Sequence, residues 1–282
     1  MDVPGITSPP EVEKTIEHAW LFDVDGVITN SEQKRVTEPR ILDEIIKRLQ
    51  AGEMVALITG RSLKWVEERV LNPLEEKIEN KEILDNLFVS GEFGGPNLKY
   101  LRGEKVYSVD PNISVPQEIV DSARAISEEF SKTMMWDESK KTMVSIEMKD
   151  GIAISDFSGP QSDLVRRLDE LLGEKGLKEK YWIHRDLIGT NIMERTANKS
   201  LATKQVLTWL RENGIKPENF VAFGDNKSDL EIGNEISLQG LPVQFVFVGG
   251  KELLENQKFD FPVIFTNGIY ENGTLEYLTS NT

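Results

Sequence analysis

Residues 20–29 read WLFDVDGVIT, an apolar run of Trp20, Leu21 and Phe22 that ends in Asp23 and Asp25, with Gly26 directly after. Such a run closed by acidic residues is the pattern of a buried parallel strand whose carboxyl end carries function. Alternation along an extended chain aims Asp23 and Asp25 the same way, toward the crevice where open α/β sheets bind ligands. Gly26 permits a sharp turn there. A single pair of this kind is equally well read as acidic helix caps.

The neighbouring segments extend the parallel pattern. Ile41, Ile45, Ile46 and Leu49 follow helical spacing over 41–50, Gly52 ends that helix, and 54–58 is an apolar strand stopping at Thr59-Gly60. A further helix is expected from 63 to about 78, kinked or interrupted at Pro73, and a strand at 87–89 precedes a glycine-rich break at Gly91, Gly94 and Gly95. From 96 to 193 the texture changes. A helix over 115–130, a strand over 142–148, an Asp150-Gly151 hairpin into a strand at 152–157, a helix over 161–172 and strands at 181–185 and 191–194 form an α+β layer with an antiparallel sheet. Parallel patterning then returns, with a helix over 201–212, its stop at Asn213-Gly214, and strands at 220–223, 245–248 and 263–265. The chain therefore reads as an α/β core over 17–95 and 194–282, interrupted by a second domain over 96–193. Residues 1–16 read as a loose tail that leads into a short helical stretch around 11–18.

Composition narrows the chemistry. The 282 residues contain no cysteine and two histidines, His18 and His184, so thiolate metal sites and cysteine nucleophiles are excluded and a serine-histidine triad or zinc site has almost nothing to be built from. Carboxylates remain. A formal net charge of -15 disfavours nucleic acid and anionic membrane as partners, because clustered Lys and Arg meet such surfaces. No apolar run reaches the roughly 18 residues that span a bilayer, and the first ten residues lack the parts of a signal peptide; a cytoplasmic location is the expectation.

Three further elements join the Asp23/Asp25 pair. Thr59-Gly60-Arg61 offers a hydroxyl and a backbone N–H that can bind a phosphoryl oxygen, although Thr-Gly alone is usually a turn. Gly224-Asp225-Asn226-Lys227-Ser228-Asp229 returns two carboxylates after the strand VAF. Lys199, at a helix start, can neutralise phosphate or be a solvated surface charge. Three motifs each ending a buried strand are a pattern that unrelated caps rarely produce. Oxygen ligands from Asp23, Asp225 and a backbone carbonyl suit an octahedral Mg²⁺ that keeps several waters.

With DVDGVIT, ITGR, Lys199 in ANKSLA, and GDNKSD in that order, the sequence resembles the haloacid dehalogenase (HAD) superfamily of phosphatases, and the αββαββ segment between the second and third motifs resembles a class IIB cap. The resemblance implies a Rossmann-like parallel-sheet core with an inserted α+β cap. It also implies a Mg²⁺-dependent phosphatase of a small phosphorylated metabolite, with a lean toward sugar phosphates, acting through a phospho-aspartate. Asp23 is then the nucleophile and Asp25 the general acid/base, also giving its backbone carbonyl to the metal. Thr59, Gly60 and Lys199 hold the phosphoryl group, Asp225 binds Mg²⁺, and Asp229 ligates or orients that site. Two positions depart from the pattern: Ser228 stands where many relatives carry Asn, and Glu92 in VSGEFGG where relatives often carry Asn-Gly. A sugar phosphomutase and a phospho-aspartate signalling module without turnover are the rivals. ITGR resembles the phosphatase branch, and receivers lack so large an insert. Substrate choice is expected from cap residues near the return to the core: Trp182 to stack on a sugar face, with His184, and Arg185 to pair with a second anion. Each can equally be core filler or solvated surface. Oligomeric state is not legible.

Overall fold

The computed structural model describes residues 13–255 and 257–280; of the expected tail, residues 1–12 lie outside the described residues. In chain order the first half comprises β1 (Lys14–Phe22), α1 (Arg40–Gln50), β2 (Met54–Ile58), α2 (Leu63–Val66), α3 (Asn72–Glu76), β3 (Leu87–Ser90), β4 (Pro96–Leu101), β5 (Glu104–Val109), α4 (Gln117–Glu128) and β6 (Met134–Trp136). Then follow β7 (Val144–Met148), α5 (Ile154–Glu174), β8 (Tyr181–Arg185), β9 (Gly189–Glu194), α6 (Lys199–Glu212), β10 (Ile215–Gly224), α7 (Leu230–Leu238), β11 (Val243–Phe247), β12 (Val263–Phe265) and α8 (Glu271–Ser280). They form an eight-stranded sheet of order β12-β11-β10-β1-β2-β3-β4-β5 and a four-stranded sheet of order β6-β7-β9-β8.

From β12 to β3 the large sheet is parallel, and alternation along each strand feeds two cores. Trp20, Phe22, Val55, Leu57, Val221 and Phe223 face α1 and α8, while Ala19, Leu21, Ala56, Phe220 and Ala222 face α6 and α7. Phe22 and Phe223 stack at 4.6 Å between ring centroids; burying a side chain of this size stabilises by about 1.5–3 kcal/mol. β1 is central, and Phe22 lies level with both Leu57 and Phe223. The residues that follow each of these three strands are therefore brought to one edge.

Four local expectations change. Residues 14–18 are strand, not helix, because β10 is longer than its apolar stretch and pairs with β1 from Lys14↔Ile215 onward. Residues 154–157 begin α5 instead of forming a hairpin strand: Phe157, Gln161, Leu164, Leu168 and Leu171 continue one helical face inward. The strand partner of β7 is β6, so the order helix, strand, strand still occurs twice over 117–194. Residues 96–109, expected in the insert, form the β4–β5 hairpin, which turns at Arg102 and Gly103 and extends the large sheet by antiparallel pairing with β3. The interruption expected at Pro73 takes the form of a π-helical segment, Glu67–Leu71, between α2 and α3, which accommodates a residue without an N–H.

The smaller sheet packs one face on α4 and α5 through Val144, Ile146, Tyr181 and Ile192. Ser145, Glu147, His184 and Asn191 alternate with these and point to its other face. Among the described residues no helix is long and apolar enough to cross a membrane.

Candidate active site

The edge defined by β1, β2 and β10 gathers the motifs. Asp23 leaves β1 with its N–H donating to Phe223 O at 3.1 Å, Thr59 leaves β2 with its N–H on Ser90 O at 3.0 Å, and Asp225 follows Gly224, the last residue of β10. Oxygens of Asp23, Asp225 and Asp229 lie within 4.8 Å of one another. Gly26 makes this approach possible. Its φ is +74°, and a Cβ there would stand 2.8 Å from Asp225 Cγ and closer still to Oδ2.

Lys199, the first residue of α6, is buried, and its Nζ contacts Asp23 Oδ1, Asp229 Oδ1 at 3.0 Å and Ile58 O at 3.2 Å. Asn198 caps that helix, accepting from Leu201 N–H at 2.8 Å, which fixes where Lys199 emerges. Asp229 Oδ2 accepts the N–H groups of Asp225 and Asn226 at 3.0 and 2.9 Å, so this carboxylate shapes the 224–229 turn and orients Asp225.

The charges do not balance. Burial, with Asp229 and Asp225 adding to it and Lys199 opposing, holds the Asp23 carboxyl well above the usual range. Asp225 is pushed up to about 7 by burial and then by Asp229. Lys199 is held above the ordinary lysine range because its two carboxylate partners outweigh its burial. A cluster of converging carboxylates in which Asp23 and Asp225 have elevated proton affinity is a donor set that fits a hard divalent cation.

Asp25 is gripped by Arg61, with Nε to Oδ2 and Nη2 to Oδ1 both at 3.0 Å, and the guanidinium lies 5.0 Å from the Trp65 ring centroid. The Thr59 hydroxyl accepts from Arg61 N–H at 3.1 Å. Phe93 packs against Gly60 so closely that a Cβ on Gly60 would lie 2.7 Å from Phe93 Cε2 and closer still to Cζ.

Glu92 and Phe93, both at positive φ, knit the 91–95 loop to this turn: Glu92 N–H donates to Arg61 O and Phe93 N–H to Thr59 O, each at 3.0 Å. The Glu92 carboxylate is buried and accepts Lys141 N–H at 3.0 Å, Thr142 N–H at 2.9 Å and Thr142 Oγ1–H at 2.9 Å.

Asp23, Asp25, Thr59, Gly60, Lys199, Asp225 and Asp229 all line one cavity of about 550 Å³, as does Ser228. Its far wall is the open face of the smaller sheet and the loop after β8, presenting Ser145, Glu147, His184, Asp186 and Asn191. Of the three residues expected to read the substrate, His184 is in this wall. Trp182 shares its strand face and packs beside it at 5.3 Å between ring centroids, outside the cavity lining. Arg185 points to the opposite side, where its Nε donates to Gln161 Oε1 at 2.7 Å. Gln161 in turn donates to Asp186 O and Gly189 O at 3.0 and 2.7 Å, holding the loop that carries Asp186. Sequence reasoning missed Ser145 and Glu147, although strand alternation places both opposite Val144 and Ile146. It also missed Lys140, which no periodicity marks.

An acidic pair after a central parallel strand, a Thr-Gly turn, a buried lysine and a second acidic turn on flanking elements thus converge on one cavity at the edge of the large sheet. The family model of haloacid dehalogenase-like hydrolases matches residues 20–235, and the chain belongs to that family. A haloacid dehalogenase-like hydrolase from Bacteroides thetaiotaomicron shares the fold at TM-score 0.63 and 15% identity, covering 95% of this chain and 100% of that one. The C-terminal domain of Candida albicans trehalose-6-phosphate phosphatase aligns at TM-score 0.62 and 17% identity over 94% and 92%. Sucrose-phosphatase from Synechocystis, in complex with sucrose and phosphate, aligns at 0.53 and 15% over 94% and 97%. No curated protein sequence matches the chain.

Proposed function

We propose that the protein is a Mg²⁺-dependent phosphatase that hydrolyses the phosphate monoester of a small polyhydroxylated metabolite, a sugar phosphate first of all, through a phospho-aspartate at Asp23. The observation that carries this reading is the position of Asp23: at the end of the central strand, contacted by buried Lys199, and converging with Asp225 and the Thr59 turn. Asp23, Asp225 and the Asp25 backbone carbonyl are the residues that would hold Mg²⁺, with Asp229 orienting them. When bound, the ion offsets repulsion between the carboxylates and the phosphate dianion.

The chain's own groups account for the remaining chemistry. An Asp23 carboxylate oxygen attacks phosphorus as the bond to the leaving oxygen breaks, and the Asp25 carboxyl proton passes to that oxygen. Asp25 then takes a proton from water, which attacks the phospho-aspartate; the bond from phosphorus to the Asp23 oxygen breaks and inorganic phosphate leaves. Thr59 Oγ1 and Gly60 N–H are suited to hold the phosphoryl oxygens, and Lys199 to neutralise them. Arg61 orients Asp25.

The far wall supports a leaving group rich in hydroxyls. Ser145, Glu147, His184, Asp186 and Asn191 offer acceptors and few fixed cations, which suits sugar hydroxyls better than a second anion. Fold relatives named trehalose-6-phosphate phosphatase and sucrose-phosphatase, the latter in complex with sucrose and phosphate, agree with that class. Phosphate release from a panel of phosphorylated metabolites, with Mg²⁺ and with EDTA, tests the reading. It fails if no monoester is hydrolysed, or if hydrolysis is indifferent to the chelator.

A further inference from the structure

Three lysine or arginine side chains line the cavity: Arg61, Lys140 and Lys199. Arg61 is engaged by Asp25, and Lys199 by Asp23 and Asp229. Among the described residues Lys140 has no carboxylate within ion-pair distance. Its Nζ makes one hydrogen bond, to Gly60 O at 2.7 Å, and so stands at the Thr59-Gly60 turn, which lines the cavity. An ammonium has three donors, so two remain for a partner.

Lys140 does not belong to the large sheet. It precedes β7, in a segment seated on the core by a set of specific contacts. Glu92 takes both N–H groups of the next two residues and the Thr142 hydroxyl, while Ser139 Oγ donates to Ser62 Oγ at 2.7 Å. The Glu92 carboxylate is thus occupied by backbone N–H groups and the Thr142 hydroxyl and forms no ion pair with Lys140. Burial pushes the Lys140 ammonium down, with Glu92 and Asp137 opposing only in part. A partly buried ammonium with no ion-pair partner is a ready donor to an arriving anion.

We propose that Lys140 is a phosphoryl-oxygen ligand delivered by the inserted segment, and that Glu92 is the positioning residue that seats it against the 59–61 turn. The inference rests on the phosphatase reading and extends it: the phosphate site is complete only with the 137–145 segment docked. Binding of inorganic phosphate to the Mg²⁺-loaded protein, followed by calorimetry, tests it independently of turnover. Lys140→Ala should weaken phosphate at least fivefold and up to about a hundredfold, the span of one charge-assisted hydrogen bond, and Lys140→Arg should recover part of the loss. Glu92→Gln should weaken phosphate in the same direction. The double variant Glu92→Gln/Lys140→Ala should lose no more than Lys140→Ala alone, because Glu92 acts through Lys140. A change below fivefold in Lys140→Ala overturns the proposal, and so does multiplication of the two losses. If Glu92→Gln does not fold, the Lys140 pair of variants decides. Wild-type protein that binds phosphate but hydrolyses no ester defeats the phosphatase reading and leaves this inference standing on the binding data.

Discussion

Gly26→Ala separates the geometry of the acidic cluster from the stability of the fold. Two effects act on an added Cβ. The backbone sits at φ +74°, where an L-residue costs about 1–2 kcal/mol. The Cβ would also stand 2.8 Å from Asp225 Cγ. The carboxylate is the far end of a side chain and can rotate away, so the clash should displace Asp225 without unfolding the domain. For a chain of this size the backbone strain corresponds to a Tm lower by roughly 2–8 °C. Displacing an oriented ligand typically costs about 10–100-fold in metal affinity. Gly151→Ala supplies the control: φ is +79° there and nothing lies within 4 Å of the added Cβ, so it carries the same strain with no contact to the site. Thermal unfolding with chelator present, and phosphatase activity titrated with Mg²⁺, should show both variants losing comparable Tm. Only Gly26→Ala should require about 10–100 times more Mg²⁺ for half-activity. An unchanged Mg²⁺ requirement in Gly26→Ala, or an equal shift in Gly151→Ala, would refute the role given to the 26/225 contact.

Asp23→Asn should keep the circular dichroism of the wild type and lose turnover, since an amide does not attack phosphorus; a folded variant with near-normal, EDTA-sensitive activity would remove Asp23 as nucleophile. Asp225 has a folded value of about 7 against an unfolded one near 4, so it binds its proton more tightly when folded. Its contribution to metal-free stability is present at low pH and is lost as pH rises through that window. The Tm of the wild type minus that of Asp225→Asn, measured in chelator, should therefore fall between about pH 4 and pH 7, and saturating Mg²⁺ should reverse the trend at the upper end. Glu147→Gln should lower kcat/KM for the best sugar phosphate several-fold more than for p-nitrophenyl phosphate, which has no hydroxyls to read. Arg185→Ala should act more weakly and on both substrates, through the Gln161 contact; equal effects of the two variants on the sugar phosphate would place the reading surface elsewhere.

How much of the fold was legible follows from how each element is buried. A strand covered on both faces, such as β2, is a continuous apolar run with bounds that sequence finds directly. β1 is different: it begins with Lys14, Thr15 and Glu17, polar residues held in strand by β10, whose own early residues Lys216, Glu218 and Asn219 are equally polar. Parallel hydrogen bonding to a distant segment overrides local pattern there, and nothing in 14–18 announces it. The β4–β5 hairpin escaped for a related reason. Val106, Tyr107 and Val109 are exposed on an edge strand, so they carry no signal of burial against the large sheet. The first turns of α5 were hidden by Gly159 and Pro160, which disfavour helix locally, although Phe157 is spaced to continue the buried face of Leu164 and Leu168.

The site divides along the same line. The residues proposed to handle phosphate follow the ends of parallel strands, and three such ends converge because Phe22, Leu57 and Phe223 are in register at the centre of one sheet. That placement is encoded locally, as an apolar run and the residue after it, so Asp23, Thr59 and Asp225 could be named before their distances were known. The groups of the cavity's far wall come from a second sheet laid across the first, and what they meet depends on how the insert is seated. Arg185 illustrates the difference. Its charge recommended it as an anion reader, but odd-numbered positions of β8 face α5, and the side chain is used to brace Gln161. Glu147 and Asn191 are ordinary polar residues in sequence and become a cavity wall only because Glu92 and Lys140 fix the strap that leads into β7. The chemistry proposed for the core is thus written next to strand ends, where a local apolar run marks it. The wall proposed to select the ester depends on a docking geometry carried by residues such as Glu92, whose signal is a buried carboxylate at positive φ and not a motif.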